Sequence, residues 1–212
     1  MSGTYHTSRL THDVRRELLW GALWRFHFSH LIGAGDCVLD MGCGYGEFIN
    51  SVQGKRRIAL DAWPGFLDYL NDGVEGAVGP VTDLAFLDDQ SVDFAFASNL
   101  FEHITQTELI TVLSSLRTKL SPRGTLTLLQ PNWRYAFREY FDDYTHITVY
   151  SHTSMSDLLS AQGWEVIDVR PRFLPLTIKS RLPVWPLLIR AYLLSPIKLM
   201  GKQMLISARP KR

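Results

Sequence analysis

Hydrophobic positions recur at helical spacing over residues 12–31, through Val14, Leu18, Leu19, Leu23, Phe26 and Leu31. This pattern predicts one amphipathic helix ahead of everything else in the chain. The period then changes. Short apolar runs, CVLDM, RIALD, VEGAV, VDFAFAS and TLTLLQP, read as strands, with helices placed from Glu47, after Pro64 and from Thr105. A β-α-β-α order of this kind predicts an α/β fold built on a parallel, doubly wound sheet.

The helix after VDFAFAS is the best delimited. Thr105-Gln-Thr-Glu108 has the form of a capping box, the apolar positions Leu109, Val112, Leu113, Leu116 and Leu120 follow, and Pro122-Arg-Gly124 predicts a turn at the far end. Beyond it a helix is expected over 154–162, a strand over 164–169 and a last strand over 204–208. The stretch FLPLTIKSRLPVWPLLIRAYLLSPIKLMGK between the last two strands is too long for a plain hairpin and predicts a cap insertion. The organisation is a single domain over 1–212. It has an N-terminal helical extension (1–33), a cofactor-binding core (34–132) and an acceptor-side part with loop, cap insertion and last strands (133–212).

Composition narrows the function classes. The 212 residues are 46% hydrophobic and 20% charged, enough for a full core, and the net charge of +1 gives no electrostatic reason to expect nucleic acid. Arg209, Lys211 and Arg212 form only a small basic tail. Two cysteines, Cys37 and Cys43, support neither a disulfide framework nor a zinc site. The N-terminal stretch carries Asp13 and Glu17 and no uninterrupted apolar core, so a cytoplasmic protein is expected. Pro186, Arg190, Pro196 and Lys198 interrupt the apolar stretch 184–200, which therefore suits a lid or a membrane-facing surface but not a transmembrane span.

The candidate chemistry starts at VLDMGCGYGEF, residues 38–48, with Gly42, Gly44 and Gly46 at alternate positions after the acid Asp40. A dinucleotide fold wants G-x-G-x-x-G and a pyrophosphate at the helix N-terminus, where Glu47 would repel it. A ligand without phosphates fits better. S-adenosylmethionine is one: the bare backbone admits its amino-acid end and Asp40 can pair with its ammonium. Asp61 closes the next strand, where a carboxylate can accept from both ribose hydroxyls. Asp83 and Leu84 follow the third strand, suited to the adenine amino group and ring face, and Ser98-Asn99 ends the fourth beneath the sulfonium. Four consecutive strand ends carry this chemistry in order.

Together VLDMGCGYGEF, IALDAWP, VTDLAFLDDQSVDFAFASNLFEHI and LSPRGTLTLLQPN resemble the successive motifs of class I S-adenosylmethionine-dependent methyltransferases of the type 11 and type 23 group, over about residues 37–132. The resemblance implies a Rossmann-like, seven-stranded sheet with one antiparallel strand, supplied by MLISA. It implies S-adenosyl-L-methionine as cofactor, with Asp40, Gly42 and Gly44 at the methionine end, Asp61 at the ribose, Asp83 and Leu84 at the adenine, Ser98 and Asn99 as floor, and Cys43 and Ala62 also in the cofactor-binding set. YFDDYTHITVYSHTSM and RPRFLPLTIKSRLP resemble small bacterial methyltransferases of polysaccharide or glycolipid assembly. That likeness implies a small-molecule or glycan-type acceptor, free or lipid-linked. SNLFEH lacks the Asn/Asp-Pro-Pro-aromatic motif of nucleobase methylation.

Methyl transfer to an alcohol needs a base, so histidines near the carboxyl edge of the sheet are the catalytic candidates. His146 is the first, with Asp143 to orient its imidazole, and His103 is the second. Asp143, His146 and His152 lack a rigid metal spacing, and no metal is expected. Two other readings stay open at this point: a nicotinamide-dependent oxidoreductase on a similar sheet, and a non-catalytic partner subunit with a cofactor fold.

Overall fold

The computed structural model describes residues 12–175, 184–198 and 200–211. Seven strands form one sheet in the order β3-β2-β1-β4-β5-β7-β6. They are β1 (Cys37–Met41), β2 (Arg56–Asp61), β3 (Val74–Val78), β4 (Val92–Ser98), β5 (Leu120–Pro131), β6 (Trp164–Pro175) and β7 (Gly201–Pro210). β1 to β5 pair in parallel, and β7 runs antiparallel to both β5 and β6. The doubly wound sheet and its one antiparallel strand are as expected. Because β1 lies between β2 and β4 with helices on both faces, all five of its residues are buried, which explains its unbroken apolar run.

The helices are α1 (Val14–Phe26), α2 (Glu47–Ser51), α3 (Gln106–Lys119), α4 (Trp133–Ala136), α5 (His152–Ala161) and α6 (Pro186–Leu194). α1 is shorter than its pattern: Asp13 caps it, it ends at His27, and a separate 3-10 turn, Phe28–His30, follows. Trp20 and Leu23 hold it to the sheet through a cluster with Phe28, Phe48 and Phe96. The capping box of α3 is present, with the Glu108 amide donating to Thr105 Oγ1 (3.2 Å) and the Thr105 amide to Glu108 Oε2 (2.8 Å).

Three boundaries differ from the pattern. No turn separates α3 from β5. The strand begins at Leu120 and bulges, so that Val92 pairs with Leu120 and Phe94 already with Thr125. Gly124 is needed there because a Cβ would stand 2.7 Å from the Val92 carbonyl oxygen. β6 and β7 extend well past 164–169 and 204–208, since their pairing continues to Pro175↔Gly201. Part of the expected cap insertion, 176–183, lies outside the described residues, as do 1–11 of the N-terminal extension. Its α6 packs on α1, with Ile189, Tyr192 and Leu193 against the Trp20–Phe28 cluster. No helix among the described residues is long and apolar enough to cross a membrane.

Candidate active site

The glycine loop between β1 and α2 is built from left-handed backbone. Gly42, Gly44 and Gly46 have φ of 68°, 58° and 71°, so the alternate spacing of the glycines answers a conformational need at each of the three. Gly42 is doubly constrained, since a Cβ there would meet Leu100 Cδ1 at 2.8 Å. The loop is pinned to β2: the Gly42 and Cys43 amides donate to the Leu60 carbonyl (2.8 and 3.1 Å), and the Gly44 amide to Asp61 Oδ2 (2.9 Å). Asp61 Oδ1 accepts from the Trp63 amide at 2.9 Å. Each oxygen keeps a further lone pair for a ligand.

Three carboxyl groups surround this loop. Asp40, at 2% exposure, has an Oδ2 with no hydrogen-bond partner, and burial, with Glu47 and Asp61 adding to it, holds its pKa well above the usual carboxylate range. Glu47 opens α2 and pairs with Arg16 of α1 at 2.5 Å. A pyrophosphate would meet this concentration of carboxylates with repulsion, whereas an ammonium or sulfonium would relieve it. The orphaned Asp40 oxygen and the bare loop thus suit the methionine end of S-adenosylmethionine.

A cleft of about 310 Å³ joins these groups. It brings together Asp40, Gly42, Cys43, Gly44, Asp61, Ala62, Ser98, Asn99 and His103 from the sequence-derived set. Asp83 and Leu84 are not brought to it. The Asp83 carboxylate accepts from the Ala85 amide in an exposed turn, and Leu84 is 2% exposed within the core. The lining in that region is Gly79, Pro80, Val81 and Thr82, one step earlier in the chain. Asn99 adopts φ 49° at the end of β4 and is held by Gln203, whose Nε2 donates to Asn99 Oδ1 (2.7 Å). Burial raises the pKa of the Cys43 thiol, so it lines the cleft as a neutral group.

With that geometry in place, comparison with known proteins is decisive. A family model described as a methyltransferase domain, of type 23, matches residues 11–169. The chain belongs to this methyltransferase family. It is an enzyme that uses S-adenosylmethionine as cofactor, and the oxidoreductase and non-catalytic readings fall. Solved structures share the fold. An S-adenosylmethionine-dependent methyltransferase from Archaeoglobus fulgidus has a TM-score of 0.67 at 19% identity over 97% of each chain. One from Mesorhizobium loti has a TM-score of 0.64 at 15% identity, covering 89% of this chain and 97% of its own. A protein solved with the Trm112 methyltransferase activator of Haloferax volcanii has a TM-score of 0.68 at 18% identity, over 94% and 95%. No curated protein matches the chain.

This methyltransferase carries a second cluster at the cleft's edge. The His103 ring lies 4.8 Å from that of His146, centroid to centroid, and His146 lies 4.6 Å from Tyr140. Asp143 is linked to His103 through Thr145. Thr145 Oγ1 donates to Asp143 Oδ1 (2.6 Å), while His103 Nδ1 lies 2.9 Å from Thr145 Oγ1 and 3.2 Å from the Thr145 carbonyl. A carbonyl only accepts, so the proton is assigned to Nδ1, and Nε2 is left as an acceptor. Burial, then the neighbouring His146, lowers the His103 pKa to about 4. Burial pulls the Asp143 carboxyl up, but the hydrogen bonds from Thr145 outweigh it and leave the pKa lowered.

Sequence reasoning missed several residues here. Glu102 is wholly buried, neither carboxyl oxygen has a hydrogen-bond partner, and burial pushes its pKa up to about 8. Ligand-type atoms of Glu102, His103 and His146 lie within 4.8 Å of one another. His152 is elsewhere, bonded through Nδ1 to Asn132 at 2.9 Å. Arg16 and Trp20 reach the cleft from α1, which only tertiary packing places there. Thr145 was legible in principle, since Asp143-x-Thr145 has the spacing of an Asx turn, and the Thr145 amide does donate to Asp143 Oδ1 (3.0 Å).

Proposed function

We propose that the enzyme methylates oxygen on a small-molecule or glycan-type acceptor, free or lipid-linked, with His103 as the base. The observation that supports this most is the chain from Asp143 through the Thr145 hydroxyl to His103 Nδ1, which leaves Nε2 as a proton acceptor on a side chain that lines the cleft. When bound, S-adenosylmethionine supplies a methyl group already activated on a sulfonium. Asp40 would hold the ammonium and Asp61 the ribose hydroxyls, with Ser98 and Asn99 lining the same cleft. His103 Nε2 would take the proton of the acceptor hydroxyl, and ionised Asp143, acting through Thr145, would keep the ring in the required tautomer.

The acceptor class is supported by the loop that follows β5. Phe137, Phe141, Tyr144 and Ile147 are all more than half exposed in this loop, and Arg134 and Arg138 lie beside Phe137 in sequence. Aromatic faces of this kind suit sugar rings and other flat apolar groups. The test is methyl transfer from labelled S-adenosylmethionine to a panel of deoxy- and amino-sugars, free and nucleotide- or lipid-linked, with and without a chelator. Transfer to hydroxyls that survives chelation supports the reading. Products methylated only on nitrogen overturn the oxygen assignment. Activity lost to the chelator and restored by a divalent cation would transfer the role of Glu102, His103 and His146 from proton transfer to a cation.

A further inference from the structure

Charge is divided unequally along the chain. All 21 acidic residues lie at or before Asp168, whereas 10 of the 22 Lys and Arg residues follow it. The first 168 residues therefore carry −9 and the last 44 carry +10, a polarity that the net value of +1 conceals. Some of the late cations are neutralised locally: Arg170 pairs with Asp168, Lys202 with Glu139 and Arg209 with Glu165. Arg190 and Lys198 have no acidic partner among the described residues and stand over rings, at Phe26 and Tyr192 respectively.

The same region holds apolar surface that the core does not use. α6 turns Ile189, Tyr192 and Leu193 inward, while Leu187 (74% exposed), Leu194 (72%) and Trp185 (64%) face outward together with Leu188, Ile197 and Met200. A cleft between α6 and the end of α1 is lined by Leu187, Arg190 and Leu194 on one side and Arg25, Phe26 and His30 on the other. Exposed leucines on a one-sided helix, an aromatic at its start and a fringe of cations are the features of a helix lying in a membrane interface. An isolated apolar patch would leave its occupant open, but the cationic fringe and the acid-free 44-residue tail select an anionic one. The patch is also at the far end of α1 from the cofactor cleft. Trp20 is the cleft-lining residue of α1 nearest the patch, and Phe26 borders the patch six residues or about 9 Å further along the helix.

We infer that α6 and the adjoining end of α1 form a docking surface for an anionic lipid bilayer, which the enzyme engages peripherally. The inference does not depend on the identity of the base or of the acceptor.

Flotation of the full chain with vesicles tests it directly. Vesicles of phosphatidylcholine with about a third phosphatidylglycerol should carry the protein at low salt, pure phosphatidylcholine should carry much less, and high salt should release it. Arg190→Glu should lower partitioning about thirtyfold, the effect of a change of two charge units near such a surface. Leu187→Glu with Leu194→Glu should abolish flotation while thermal stability and S-adenosylhomocysteine binding stay as in the parent. Failure to float on anionic vesicles overturns the inference, as does flotation that the double variant retains. A solution dimer that the double variant dissolves would also overturn it, by assigning the patch to a second copy of the chain.

Discussion

The Gly44 amide donates to Asp61 Oδ2 at 2.9 Å, so the acid that ends β2 also holds the glycine loop that follows β1. One carboxylate thereby couples two neighbouring strand ends before any ligand arrives. The second bond, from the Trp63 amide to Oδ1, fixes its rotation. Asp61→Ala should therefore do two things at once: remove an acceptor for the ribose hydroxyls and release the loop. Calorimetry with S-adenosylhomocysteine should show binding weakened by at least about 1.5–3 kcal/mol, the range for hydrogen bonds to a charged group. Unchanged affinity in a folded variant would take Asp61 out of the cofactor site.

Gly42 provides a steric counterpart. Its φ of 68° and the 2.8 Å approach of Leu100 Cδ1 to a Cβ penalise any side chain. Gly42→Ala should cost about 1–2 kcal/mol from the left-handed backbone alone, with more from the displaced leucine. The double substitution Gly42→Ala with Leu100→Ala should recover the steric part but not the backbone part. Chemical denaturation of Gly42→Ala, Leu100→Ala and the double variant separates the two terms. Strictly additive losses would show that Leu100 yields freely.

What the sequence made legible follows how local the signal was. β1, the glycine loop and the capping box of α3 were readable because each is written in consecutive residues: a buried run, three glycines needing positive φ, and Thr105 with Glu108. The bulge at 121–124 was read as a turn because Pro-Arg-Gly serves both structures locally, and only pairing with Val92 decides between them. Asp83 falls one step past the residues that line the cleft, because a strand end locates a site to within a residue or two while side-chain direction depends on the turn. The link between Asp143 and His103 spans 40 positions and passes through Thr145, so nothing in the local pattern could reveal it.

Glu102 offers a prediction about stability and pH. Its folded pKa of about 8 stands above the ordinary value of 4.5 because the side chain is wholly buried, with His103, His146, Asp143 and Tyr140 as the ionisable groups around it. Between pH 4.5 and 8 the folded protein holds a proton that the unfolded chain has lost. This contribution is complete below about pH 4.5 and is lost as pH rises through 8, a span of order 4–5 kcal/mol. Glu102→Gln removes the titration and keeps the shape. Urea denaturation from pH 5 to 8 should show a falling stability for the parent and a flatter profile for the variant. Parallel profiles would mean that Glu102 is not held protonated.

The last prediction separates the two histidines. A base that acts on the acceptor proton should leave S-adenosylhomocysteine binding largely intact when removed, while a contribution of roughly 10²–10⁴-fold disappears from turnover. His103→Ala should behave in this way, and Thr145→Val should lose a smaller part of it by releasing the ring from Asp143. His146→Ala should act differently, because His146 opposes protonation of His103. In the parent, kcat/KM should rise with pH through an ionisation near 4, well below that of a free imidazole, since neutral His103 is the active form. Replacing His146 should move that ionisation upward, with Glu102, Asp143 and the cleft residue Glu108 still present as neighbouring charges. If His103→Ala keeps parental turnover while His146→Ala abolishes it, the proton goes to His146, and the chain through Thr145 serves only to hold the loop.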